Sequence, residues 1–209
     1  MDFDGAPFIE PSPDEDAWEA FIVLALDRLG EDRSDGITNA ALAEVERIVG
    51  HQLPLEVGML LVMGQPETPP WVQWDKDPAG TWAAWCGSLV DGIVDAVEDG
   101  LWLPAWGATP GGPDAAAKRR AVVAEAVEAS PLFPLWGRCA VPLTIALGKE
   151  SNDGNPVLSV HGADVAVAGV DLAAWMQNRF GIPLPMWQPD TDRRFPLWSD
   201  LVDRTFDPT

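Results

Sequence analysis

Residues 132–172 read LFPLWGRCAVPLTIALGKESNDGNPVLSVHGADVAVAGVDL, and the way this stretch breaks into short apolar runs decides the fold class. Leu132 to Trp136 and Val141 to Leu147 have strand length and strand composition. Val157 to Val160 and Val165 to Ala168 follow, as one bent strand or as a hairpin around Gly162. At Val170 the spacing turns helical and stays so to Phe180, where Gly181 supplies a stop. Upstream of residue 64 the pattern is helical instead. Ser12-Pro13-Asp14-Glu15 reads as a capping box, and Ala17, Trp18, Phe21, Ile22, Ala25, Leu26 and Leu29 recur on one face up to Gly30. Thr38 caps a second helix that Gly50 ends, with Ile37 and Leu42 as its hydrophobic staple, and Leu53-Pro54 starts a third that runs to Met63. Helices first, then an antiparallel-looking sheet with helices inserted and at the end, predict an α+β fold: an antiparallel-dominated mixed sheet packed by helices.

The connecting stretches are less regular. Residues 64–80 carry Pro66, Pro69, Pro70 and Pro78 and read as an irregular connection, followed by a short helix from Thr81 to Val90. Gly92 to Glu98 and Leu101 to Trp106 are two apolar-rich runs joined at Asp99-Gly100, which signals a β-hairpin, with Pro104 placing its strand at an edge. Pro113 to Ala129 is an alanine-rich helix with Lys118, Arg119, Arg120, Glu125 and Glu128 on its wet face. A single domain is expected over residues 1–181. Residues 182–209, rich in proline and tryptophan with one helical turn at 197–204, read as an extension that wraps it.

With 209 residues, 47% of them hydrophobic, the chain buries a core without staples. Cys86 and Cys139 are far apart and belong to no CxxC or Cys/His cluster, which argues against a disulfide framework or a zinc site. The start, MDFDGAPFIEPSPDED, is acidic and proline-broken, unlike a secretory signal. The longest apolar run, Leu53 to Met63, is too short to cross a bilayer, so a cytoplasmic location is expected. Thirteen Lys and Arg against 33 Asp and Glu give a net charge of −20, which disfavours nucleic acid and anionic membranes as partners. That acidity serves either solubility or an electrostatic match to a basic protein. The chain has 11 Trp, 7 Phe and no Tyr, and tryptophan is favoured at interface centres, which points to some of these residues at the surface.

Leu135-Trp-Gly-Arg-Cys-Ala-Val-Pro142, then Asn155-Pro156-Val157-Leu-Ser159-Val-His161, Asp164 and Gly169-Val-Asp-Leu172, in that order, resemble the carboxyl half of SUKH superfamily proteins. Gly92 to Trp106 with Gly107 is similar to that family's hairpin, and Gly50-His-Gln-Leu-Pro54 to its helix junction, so the resemblance spans about residues 37–181. The chain departs from the pattern at Cys139 (family Arg), at Ala168 (family Tyr) and at Gly162-Ala163 (a polar pair). The resemblance implies a SUKH-like α+β fold and a binding role, because many members are bacterial immunity proteins encoded beside toxins and others are cell-wall regulators or viral factors.

Each chemistry-bearing residue also has a plain structural role open to it. Ser159, His161 and Asp164 suggest a hydrolase, yet a strand places Ser159 and His161 on the same side with their side chains running parallel in a row, and no nucleophile elbow precedes them. Cys139 beside Arg138 reads as an inert buried thiol, as does Cys86. The acid pairs Asp75/Asp77, Asp95/Glu98/Asp99 and Asp190/Asp192 follow no calcium loop, and 107–113 lacks the lysine of a phosphate loop. Neither a catalytic set nor a cofactor or metal is expected. The sequence therefore predicts a non-catalytic protein that binds a basic protein partner, foremost an immunity protein neutralising a toxin domain. The alternatives are a regulatory scaffold on the same fold and, behind it, a hydrolase using Ser159 or Cys139. The expected contact patch is the hairpin surface of Trp102 and Trp106 with Asp95, Glu98 and Asp99.

Overall fold

The computed structural model describes residues 13–30, 34–185, 187 and 189–206. Among these residues seven α-helices and four strands follow in the order α1 (Glu15–Leu29), α2 (Asn39–Val49), α3 (Leu55–Met63), α4 (Pro78–Glu98), α5 (Ala115–Ala129), β1 (Leu132–Trp136), β2 (Cys139–Pro142), β3 (Val157–His161), β4 (Asp164–Gly169), α6 (Leu172–Phe180) and α7 (Trp198–Phe206). The fold is α+β. Its sheet is a meander of order β1-β2-β3-β4, antiparallel at every described pairing rather than mixed.

Both faces of the sheet are covered. Leu132 and Phe133 enter different apolar clusters, as do Ala140 and Val141, because successive strand side chains point to opposite faces. One cluster gathers α1, α2, α3 and α6 around Trp18, Trp175 and Phe133; the other gathers α4, α5 and α7 around Ile93, Val123 and Trp198. Each large side chain fully buried here contributes about 1.5–3 kcal/mol relative to exposure.

β1 is an edge strand, and indoles cover its outer side. The Leu143 amide bonds Pro131 O toward β2, so the carbonyls of Ser130, Leu132 and Pro134 face outward. Trp198 Nε1 donates to Ser130 O, Trp85 Nε1 to Leu132 O at 2.7 Å, and Trp74 Nε1 to Pro134 O at 3.2 Å. Pro134 itself has no N–H to leave unpaired on that edge.

The expected hairpin at Gly92–Trp106 is not formed. Gly92 to Glu98 instead completes α4, 21 residues long, which buries Leu89, Ile93 and Val97 at four-residue spacing. Asp99-Gly100 ends the helix: the Leu101 amide bonds Ala96 O at 2.9 Å, the Gly100 amide bonds Val97 O at 3.1 Å, and Gly100 has φ +103°. That is a Schellman stop, with buried Leu101 as its apolar contact. Pro104–Trp106 is a 3₁₀ turn rather than a strand. The short helix expected over Thr81–Val90 is thus the middle of α4.

Other boundaries shift by a few residues. Asp14 caps α1 by accepting from the Ala17 amide at 3.0 Å, whereas Ser12, expected in that role, lies outside the described residues. Thr38 and Gly50 bound α2 as expected. The strand expected to reach Leu147 stops at Pro142 because the Asn155 side chain takes the carbonyls of Pro142 and Thr144. α6 starts at Leu172, capped by Asp171.

Candidate partner-binding surface

On α4, Asp91, Asp95 and Glu98 are spaced four and three apart, with Asp99 next, and so share the side opposite Leu89, Ile93 and Val97. α5 answers two of these acids: Arg120 pairs with Asp91 at 2.6 Å and Arg119 with Glu98 at 3.2 Å. Among the described residues Asp95 and Asp99 have no such ion pair. Past the Schellman turn, Trp102 and Trp106 are half-buried against the α4–α5–α7 cluster and meet edge to face with ring centroids 5.2 Å apart. Trp102 Nε1 donates to Gly107 O at 2.8 Å, which fixes the ring.

Beside them runs an open groove of about 670 Å³. Residues of the 100–105 segment, Trp102 among them, form one wall; Asp200, Asp203 and Arg204 of α7 form the other. Asp203 is paired with Arg194. The structure thus keeps Trp102 and Trp106 together, and joins them to acids some hundred residues further on that no local pattern would have linked to them.

The hydrolase candidates are strand residues. In β3, Ser159 lies opposite Cys139 and Ala166, and the exposed His161 lies opposite Asp164 across the Gly162 turn. Burial pushes the Cys139 thiol up, although Trp175 and Arg179 pull the other way. Burial pushes Cys86 up to about 11, which keeps both thiols protonated and weakly nucleophilic at neutral pH. Among the described residues no group of three or more His, Cys, Asp or Glu is placed to hold a metal ion, and no helix is long and apolar enough to cross a membrane.

No family model, curated protein or solved structure matches this chain.

The positions that carried the sequence resemblance have local structural roles. Asn155 is buried and donates to Pro142 O at 2.7 Å. Pro156 and Val157 are buried at the entrance to β3. A Cβ on Gly169 would collide with the Trp175 backbone, so glycine there lets α6 fold back against β4.

Proposed function

We propose that the chain is a protein-binding module that receives a basic partner on the surface formed by the end of α4, Trp102, Trp106 and α7. The groove between Trp102 and α7 carries this reading, since it sets an aromatic face beside the Asp200 carboxylate in a chain of net charge −20, whereas Asp203 on the same wall is already held by Arg194. The resemblance to SUKH proteins supports the more specific reading of an immunity protein that neutralises a cationic toxin domain in the cytoplasm.

The test is to capture the partner from native lysate and then titrate it against variants. Trp102→Ala should weaken binding at least tenfold, read well below a melting temperature that its lost packing against Trp106 lowers, and Asp200→Asn should weaken binding at low salt with unchanged melting behaviour. Glu19→Gln, on the exposed side of α1, should not. Full affinity in both groove variants would remove this surface from the interface.

A further inference from the structure

Glu56 sits in the first turn of α3 with none of its side chain exposed. Its Oε1 accepts from the Gly154 amide at 2.9 Å, whereas Oε2 is buried with no hydrogen-bond partner. The loop that supplies Gly154 is a hub. Asp153 Oδ1 accepts from the Leu55 amide at 2.8 Å, capping a helix whose preceding residue, Pro54, has no side-chain cap to offer. Asn152 Nδ2 donates to Gln52 O at 3.0 Å and to Leu143 O at 3.1 Å. Asn155 joins the end of β2 and accepts from Arg193 Nη1 at 2.9 Å.

We propose that the Glu56 carboxyl and the 151–155 loop it holds form a proton-operated latch between α3 and the entrance to β3. The neighbouring charges decide its sense. Asp153 faces Glu56 from the loop and Asp171 from the N-cap of α6. Both are compensated by donors, Asp153 by the Leu55 amide and Asp171 by the Ala174 amide and Trp187 Nε1. α2 brings Glu46, whose Oε1 already accepts from the Leu53 amide. A cavity of about 120 Å³ beside the loop is walled by Asp153 and Asp171, by Asp190 and Arg193 of the C-terminal segment, and by Pro13 and Trp18, which bring no charge. Arg193 is held by Asn155, Ser151 and Asp190, and Lys149 pairs with Asp190. Of Glu56, Asp153 and Asp171, Glu56 is the carboxyl left with a bare buried oxygen that no donor reaches.

Burial pushes Glu56 up to about 8, and Asp153 and Asp171 add to that rise. Opening the loop to water returns it to the ordinary carboxylate range. The closed loop then binds a proton that the open loop releases, so opening grows with pH from about 4.5 to about 8 and levels off above. The latch loosens across the neutral range, where a glutamine at this position would accept the same Gly154 bond without responding.

Hydrogen exchange on the full chain reads this out, with each rate divided by its intrinsic value. Between about pH 6 and 7.5 the opening of residues 152–155 should rise close to tenfold per pH unit, while α5 amides serve as reference. Glu56→Gln should abolish the pH dependence. Asp153→Asn removes one repelling charge, so the rise should level off at lower pH than in the wild type. A pH-independent loop in the wild type, or the same rise in Glu56→Gln, overturns the latch. Should Glu56→Gln not fold, an unaltered pH course in Asp153→Asn overturns it instead.

Discussion

At Gly92 and Gly162 two backbones touch. A Cβ on Gly92 would stand 2.7 Å from Gly162 Cα, and one on Gly162 would stand 2.8 Å from Gly92 O, at a residue whose φ is +64°. The β3–β4 turn therefore packs directly on α4, and neither partner tolerates a methyl group without a backbone shift. Gly92→Ala should cost about 1–3 kcal/mol in denaturant unfolding, and Gly162→Ala at least as much because its left-handed conformation adds strain. Gly87, in the same helix with nothing near its Cβ, gives the contrast: alanine there should stabilise by up to about 1 kcal/mol. Losses at all three sites alike would show that helix propensity is not the governing term. Gly162 was readable from the sequence as a turn residue, and as a departure from the family pattern. The reason for glycine there was not, because its contact lies about seventy residues away on an element whose pattern suggested a strand.

At the scale of elements, the misreading of α4 has one physical source: Asp-Gly favours both a tight hairpin turn and a left-handed helix stop. The longer pattern distinguishes them, since Leu89, Ile93 and Val97 keep a spacing of four through Gly92. The caps at Thr38, Gly50 and Gly181 were legible because each is decided by one residue and its immediate neighbours. The indole cover of β1 was not, since its side-chain donors come from Trp74, Trp85 and Trp198, three segments that meet only in the folded chain. The abundance of tryptophan thus has a use beyond interfaces: an indole supplies apolar area and one donor for an edge carbonyl. Trp85→Phe keeps an aromatic ring but leaves Leu132 O without that donor, and should cost about 1–3 kcal/mol in thermal or chemical unfolding. A neutral result would mean that water replaces the indole at this edge.

At the scale of the whole molecule, charge and groove are expected to act on different rate constants. A net charge of −20 produces a long-range field that attracts a cationic partner before any contact forms. Steered association runs on the order of 10⁸ M⁻¹s⁻¹ or above at low salt, against about 10⁵ to 10⁶ for unsteered pairs, and salt screens the field beyond about 10 Å. Trp102 acts only at contact, where its truncation removes buried apolar area and quickens release. The sequence put Trp102 and Trp106 in one short segment, but Asp200 and Asp203 meet Trp102 only through the packing of α7. Surface plasmon resonance against the captured partner, at several salt concentrations, separates the contributions. Raising salt should slow association far more than it speeds dissociation, and Asp200→Asn should slow association at low salt only. Trp102→Ala should leave association nearly unchanged and raise the dissociation rate tenfold or more, which corresponds to about 1.4 kcal/mol or above. Glu98→Gln should do little, because Arg119 already neutralises that carboxylate within the chain. An association rate indifferent to salt would remove the electrostatic part of the proposal, whereas unchanged dissociation in Trp102→Ala would move the contact away from the groove.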